Sequence, residues 1–294
     1  MNIFVNFAGF MQKALLFLLP ILFLLSCKDS YNYVSRKGTL DKKYEYAKKY
    51  YERKKYAKAQ PLLEEIYPLY KGKQESEDIY YMLAYSHYKL QDYLLASYHF
   101  DNYTQQYSLS SRLEECAFMH SVCEYHKSLP PYLDQTITQS AIKTIQLFVN
   151  NYPDSRYMPQ CNDYLDKLRA KLHKKAYENA MLYYKIGDYK ASIVAFQNAV
   201  KDYPDLPQKD EFDYLVVKSH YLYAKNSILK LREERYRKAL EATSEYFAEH
   251  TQNITAYNNE VIALVKLINT NIEATILEMK RRPPEPVAPA TTNL

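Results

Sequence analysis

Cys116, His120 and Cys123 are the residues whose types and spacing first invite chemistry. They fall at i, i+4 and i+7 and share one face of a helix. Thiolate and imidazole are zinc ligands, but a structural zinc takes about four ligands at roughly 2 Å. A straight helix separates Cys116 from Cys123 by roughly 10 Å. One ion does not reach both, and the same gap excludes a mutual disulfide. The three therefore read as core packing. Cys161 brings the thiols beyond Cys27 to three, and an odd count makes no disulfide framework. The acid pairs Glu64-Glu65, Glu114-Glu115 and Glu233-Glu234 read as solvated helix faces. Phosphate-binding glycine loops, the H-E-x-x-H zinc motif and the G-x-S-x-G nucleophile elbow do not occur. These residues imply no catalysis, no metal and no cofactor.

Cys27 carries a different chemistry. Lys13 gives a positively charged N-terminal region, and Ala14 to Leu25 is an apolar run of twelve residues. That is too short for a permanent membrane helix, which needs about 20 residues. It ends in Leu24-Leu25-Ser26-Cys27, a lipobox, in which the thiol is acylated and becomes the new N-terminus after cleavage. Residues 1–26 are thus expected to be a lipoprotein signal peptide. Cys27 is the expected lipidation site, and residues 27–40 a polar, lipidated tether. Several acyl chains anchor durably where one is marginal. Lys28 is not the aspartate that favours inner-membrane retention, so delivery to the outer membrane is expected.

These positions must be carried by a scaffold, and Ala176 to Pro204 shows which. Two amphipathic segments flank a Gly187-Asp188 turn. Ala176, Ala180 and Tyr183 mark the first helix, and Ser192, Phe196 and Ala199 the second, which Pro204 stops. Small residues where helices cross and a terminal proline make the tetratricopeptide pattern, with Ser192 in place of the usual alanine. Ala47, Tyr50, Tyr56, Ala59 and Leu63 repeat it, as do Ala84, Tyr93, Ala96, Phe100 and Tyr103. Ala141, Ile145, Phe148 and Pro153 supply a third copy, and Tyr236, Ala239, Thr243 and Tyr246 a fifth. One pair cannot bury its apolar face alone, so the copies must stack. The expected fold is all-α: a tetratricopeptide-repeat superhelix of about five helix pairs over residues 41–280, closed by a capping helix over residues 256–280. Pro68 and Gly72 are expected to end the first pair. Ser128 to Gln135 is an inserted loop, and residues 281–294 a disordered proline-rich tail.

The chain has 294 residues, a net charge of +5, four glycines and 33 tyrosines. Its lysines and arginines are dispersed; Lys280, Arg281 and Arg282 only close a helix, so no nucleic-acid partner is implied. In stacked pairs the first helices line the concave side. Repeat positions 5, 9 and 12 are Tyr44, Lys48 and Tyr51, then Tyr81, Tyr85 and Tyr88, then Tyr177, Met181 and Tyr184. The seven tyrosines are the candidates for a peptide-binding groove. Rings can cover alternate side chains of an extended peptide while hydroxyls meet its backbone. Contact with the next repeat is the other reading of the same residues.

The chain is similar to the BamD (YfiO) family, lipoproteins of the outer-membrane β-barrel assembly machinery, over about Asp41 to Glu249. Tyr152-Pro153-Asp154-Ser155-Arg156-Tyr157 carries the resemblance. So do the long helix to Ala176, Tyr183-Tyr184, Gly187, Tyr189 and Asp202-Tyr203-Pro204-Asp205. Tyr44 to Tyr56, then Leu83-Ala84-Tyr85 through Ala96, match the first two repeats in order. The tyrosine richness, the final helix and the proline tail depart from the family pattern. The resemblance implies a lipid-anchored, non-catalytic protein on the periplasmic face of the outer membrane. Its C-terminal repeats would bind the periplasmic domains of the barrel-forming assembly subunit (BamA), beside other assembly-machine lipoproteins. Its N-terminal repeats would receive unfolded outer-membrane β-barrel proteins. The residues alone leave a second reading open, a repeat lipoprotein scaffolding other envelope or cell-wall enzymes.

Overall fold

The structure, a computed structural model, describes residues 31–251 and 255–281. The signal peptide, Cys27 and nearly all of the proline-rich tail lie outside these residues. The described residues form helices joined by turns and short loops, with no strand among them. In chain order the helices are α1 (Tyr31–Lys37), α2 (Leu40–Glu52), α3 (Tyr56–Tyr70), α4 (Ser76–Lys89), α5 (Tyr93–Gln106), α6 (Leu113–Lys127), α7 (Thr136–Asn151), α8 (Met158–Ile186), α9 (Tyr189–Asp202), α10 (Lys209–Lys225), α11 (Leu229–Glu249) and α12 (Asn258–Arg281). Two compact units divide them within α8, after Leu168, and Pro130–Leu133 of the inserted loop groups with the second.

The first unit holds three helix pairs, α2–α3, α4–α5 and α6–α7. Its crossings are made by residues that leave no gap: Ala47, Ala59, Ala84, Ala96 and Ala141 are fully buried, as are the flanking Leu63, Phe100 and Ile145. Close helix approach at alanine lets the larger neighbours interdigitate at near-crystalline density. The tyrosines account for much of the remaining core. Tyr67 stacks on Tyr80 at 4.3 Å, and Tyr80 lies parallel to Tyr103 at 6.4 Å. Each ring is buried while its tip finds a polar partner. Tyr67 donates to Gln106 at 2.6 Å, Tyr103 to Glu77 at 2.7 Å and Tyr70 to Asp41 at 3.1 Å. A phenol can fill a core and still satisfy its hydroxyl at the edge, which a phenylalanine need not do.

In the second unit the C-terminal half of α8 pairs with α9, and α10 with α11. Ala180, Phe196, Ala199 and Phe212 form one cluster. The turn at Gly187 has φ +81° and open space around it, so glycine serves the left-handed backbone rather than a tight contact. Ser192, the departure from alanine, is fully buried, and its Oγ lies 3.0 Å from the equally buried Ser219 Oγ on α10. The serine is therefore part of a bond between repeats. The last helix, α12, packs on α11 and α10 through Val261, Leu264, Ile268 and Ile272, as the capping role requires.

Two boundaries and one buried face differ from the sequence expectation. Tyr31–Lys37, inside the stretch read as tether, is helical, because Val34 is buried and Tyr31 meets Tyr50 edge-on at 6.0 Å. Pro68 does not end α3, which runs to Tyr70; Pro68 is exposed, and a missing amide on the solvent side interrupts no buried bond. Tyr183 is 40% exposed, so Tyr184 rather than Tyr183 faces the core of its pair. The inserted loop is tied down within its units: Ser128 Oγ meets Thr138 Oγ1 at 2.8 Å, and Lys175 donates to the Leu133 carbonyl at 2.6 Å.

Candidate functional site: a tyrosine-lined groove

The groove is built where the first helices of successive pairs lie side by side. Helical spacing puts Tyr44, Lys48 and Tyr51 on one stripe of α2, and Tyr81, Tyr85 and Tyr88 on one stripe of α4. In the first unit Tyr44, Lys48, Tyr51 and Tyr81 line a shared pocket of about 210 Å³ together with Asp78 and Arg112. Tyr44 is held by Tyr70 at 5.6 Å and Tyr51 by Tyr56 at 5.6 Å, so both rings are fixed from behind.

Arg112, just before α6, organises the far wall. Its guanidinium carbon lies 4.5 Å from the centre of the Tyr81 ring, and Nη1 donates to Asp78 at 2.6 Å. Tyr81 donates its hydroxyl proton to Glu115 at 2.9 Å, and Tyr85 donates to the same oxygen. Glu115 is therefore not the plain solvated charge that its place in an acid pair suggested. Burial pushes the Tyr51 phenol well above its ordinary pKa. Burial, followed by the Glu115 carboxylate, does the same for Tyr81 and Tyr85. All three stay neutral at physiological pH and offer hydroxyls rather than phenolates. Tyr88 continues the stripe toward Tyr93 at 6.0 Å, and Tyr93 in turn stacks on His126 at 4.5 Å.

Tyr177 and Tyr184 belong to the second unit and do not line this pocket. Tyr177 stacks on Phe212 at 5.5 Å and donates to Glu211 at 3.3 Å; Tyr184 meets Tyr189 at 5.9 Å and Phe196 at 6.3 Å. Tyr177 thus contacts α10 of the next pair, and Tyr184 contacts α9 of its own pair. Asp78, Arg112 and Glu115 were missed in the sequence. They sit at repeat boundaries, where no periodic pattern marks them.

Cys116 and Cys123 are fully buried, and burial raises both thiols, Cys123 to about 12. His120 lies 3.6 Å from Asp101 and 3.8 Å from Glu124. Asp210, Asp213 and His250 do bring ligand atoms within 4.8 Å of one another. There Lys209 already donates to Asp213 at 2.8 Å and His250 meets the same oxygen at 3.1 Å, so the carboxylate is matched within the chain.

What this arrangement can do is bind. Fixed rings, neutral hydroxyls, a guanidinium and the exposed Lys48 suit an extended segment whose side chains alternate between apolar and acidic. No described helix is long and apolar enough to cross a membrane. A relative, the outer membrane protein assembly factor BamD of Helicobacter pylori (strain ATCC 700392 / 26695), is 29% identical over 77 residues, 26% of this chain and 35% of the relative. The aligned part thus spans about a third of that relative's length. The family model YfiO, described as outer membrane lipoprotein, matches residues 36–239, well over half of the 294 residues. The match covers the N-terminal pocket and most of the helix pairs, and the chain belongs to the YfiO family of outer membrane lipoproteins.

Proposed function

We propose that this protein is a non-catalytic assembly factor for outer-membrane β-barrel proteins, anchored by acyl chains at Cys27 on the periplasmic face. The α2–α4–α6 groove receives extended segments of unfolded barrel proteins. The C-terminal pairs bind the periplasmic domains of the barrel-forming subunit, beside other lipoproteins of the machinery. No bond is made or broken; the work is binding and positioning. The observation that carries this reading is the pocket of Tyr44, Tyr51, Tyr81 and Arg112, set in a chain of the outer membrane lipoprotein family. Its rings are rigid, so little conformational entropy is lost when a peptide docks.

Purification of the lipidated protein from detergent-solubilised envelopes tests it. The barrel-forming subunit should co-purify, and depletion should lower the levels of outer-membrane barrels. Failed wall growth with normal barrel levels would instead favour a scaffold for cell-wall enzymes.

A further inference from the structure

The turn between α2 and α3 departs from the pattern that this chain uses at its other repeat turns. Three turns correspond: Lys54-Lys55-Tyr56, Gln91-Asp92-Tyr93 and Gly187-Asp188-Tyr189. The first residue of each has a positive φ, 57° at Lys54, 62° at Gln91 and 81° at Gly187. The second is the N-cap of the following helix. Asp92 accepts from the Leu95 amide at 3.3 Å and Asp188 from the Ala191 amide at 3.1 Å, whereas Lys55 makes no side-chain cap bond. Glycine is the easy residue for a left-handed backbone, and aspartate the favoured cap. A lysine at each place gives up both, and adds positive charge where the helix dipole disfavours it.

These two lysines belong to a cluster, so the basic residues are not as dispersed as the sequence reading has them. Lys49, Arg53, Lys54, Lys55 and Lys58 gather at this end of the pair with Glu52 as the sole acid between Lys49 and Lys58. All but Lys49 are exposed, and none of the five forms an ion pair with a described carboxylate. The chain enters at the same end. Tyr31, the first described residue, meets Tyr50 at 6.0 Å, and Lys58 Nζ lies 5.9 Å from the Tyr31 ring centre. Three residues lie between Cys27 and Tyr31, four steps of chain with a reach of at most about 14 Å. The acyl chains at Cys27 therefore hold the basic turn within roughly a Debye length or two of the membrane surface.

We infer that the α2–α3 turn is a second membrane contact, which docks on the phosphate headgroups of anionic glycerophospholipid. Each lysine or arginine near such a surface adds attraction that falls off within a Debye length. The anchor sets the distance, and the turn sets which face of the first pair lies against the bilayer. The inference rests on the lipidation of Cys27 but not on what the groove binds.

Flotation of the mature chain carrying Cys27→Ser, and so no acyl group, isolates the contact. Vesicles of phosphatidylcholine mixed with phosphatidylglycerol should bind it at low salt, phosphatidylcholine alone should not, and binding should fall as salt rises. The variant Lys54→Gly/Lys55→Asp restores the pattern of the other turns. It should melt at a higher temperature than the parent and bind the anionic vesicles at least tenfold more weakly. Arg53→Gln/Lys54→Gln, which leaves the cap position alone, should weaken binding in the same direction. Equal binding to neutral vesicles, salt-insensitive binding, unchanged affinity in both variants, or a tighter hold on an acidic oligonucleotide or peptide than on the vesicles would each overturn the inference. Loss of co-purification with the barrel-forming subunit, with vesicle binding intact, would count against the proposed function alone.

Discussion

The guanidinium of Arg112 lies against the ring of Tyr81, 4.5 Å from its centre, while Asp78 holds its other side at 2.6 Å. The arginine is thereby stopped at the mouth of the tyrosine pocket with part of its charge face open: its side chain remains 38% exposed. A cation on an aromatic face contributes about 0.5–2 kcal/mol, and a bidentate bond to an incoming carboxylate adds to it. Arg112→Ala should therefore weaken binding of a synthetic C-terminal peptide from an outer-membrane barrel protein by about tenfold, read by fluorescence polarisation. Thermal stability should barely move, because exposed ion pairs contribute little. Tyr177→Phe, placed in the second unit, should leave the peptide affinity unchanged. An unchanged affinity in Arg112→Ala would remove the pocket from the binding site.

Ser192 and Ser219 answer each other across a fully buried repeat boundary. Ser192→Ala strands a buried hydroxyl, which costs about 1–3 kcal/mol. Ser192→Ala/Ser219→Ala removes both partners and should recover most of that loss. Chemical denaturation of the two single variants and the double variant measures the coupling. Strict additivity would show that the two hydroxyls do not interact.

The helix crossings tolerate no added bulk. Ala96 is fully buried between α4 and α5, so Ala96→Leu should destabilise the first unit by about 1–3 kcal/mol. Leu94→Ala, at an exposed position two residues earlier, should change the midpoint little. Urea unfolding followed by circular dichroism distinguishes the two.

Acid should loosen the first unit in a defined window. Burial, and then the neighbouring His87, lowers His99 from 6.5 to about 4. The unfolded chain takes up this proton first, so stability is full above pH 6.5 and drains away as pH falls toward 4. Glu124 acts in the same sense. Burial lifts its carboxyl, but Lys127 at 2.6 Å and Ser97 at 2.5 Å outweigh this and leave it lowered. Its contribution is present at neutral pH and is lost as the carboxylate takes up a proton. Melting temperatures recorded from pH 7 down to pH 4 should fall, and His99→Gln should flatten the upper part of that curve.

Cys27→Ala removes the only thiol in the lipobox. The protein should then leave the membrane fraction for the soluble fraction on cell fractionation in high-salt buffer, which also screens the basic turn from lipid headgroups. Retention at the membrane would show that acylation is not what holds it.

The helix pairs were legible because their signals are local. Ala47, Ala84, Ala96 and Ala180 recur at helical spacing, and each is buried at a crossing. The Gly187-Asp188 turn announces its left-handed backbone and its cap in two adjacent letters. The lipobox at Cys27 is likewise contiguous. The division of labour among the tyrosines was not legible, since a phenol that packs and a phenol that faces a partner obey the same period. Tyr81 and Tyr177 occupy the same repeat position, yet one lines a pocket and the other stacks on Phe212. What separates them is the residue brought alongside from more than 30 positions away, Arg112 and Glu115 for the first, Glu211 and Phe212 for the second. Periodicity determined the helices and their buried faces; only the stacking of one pair on the next decided which side chains meet, because that contact joins residues the sequence keeps apart.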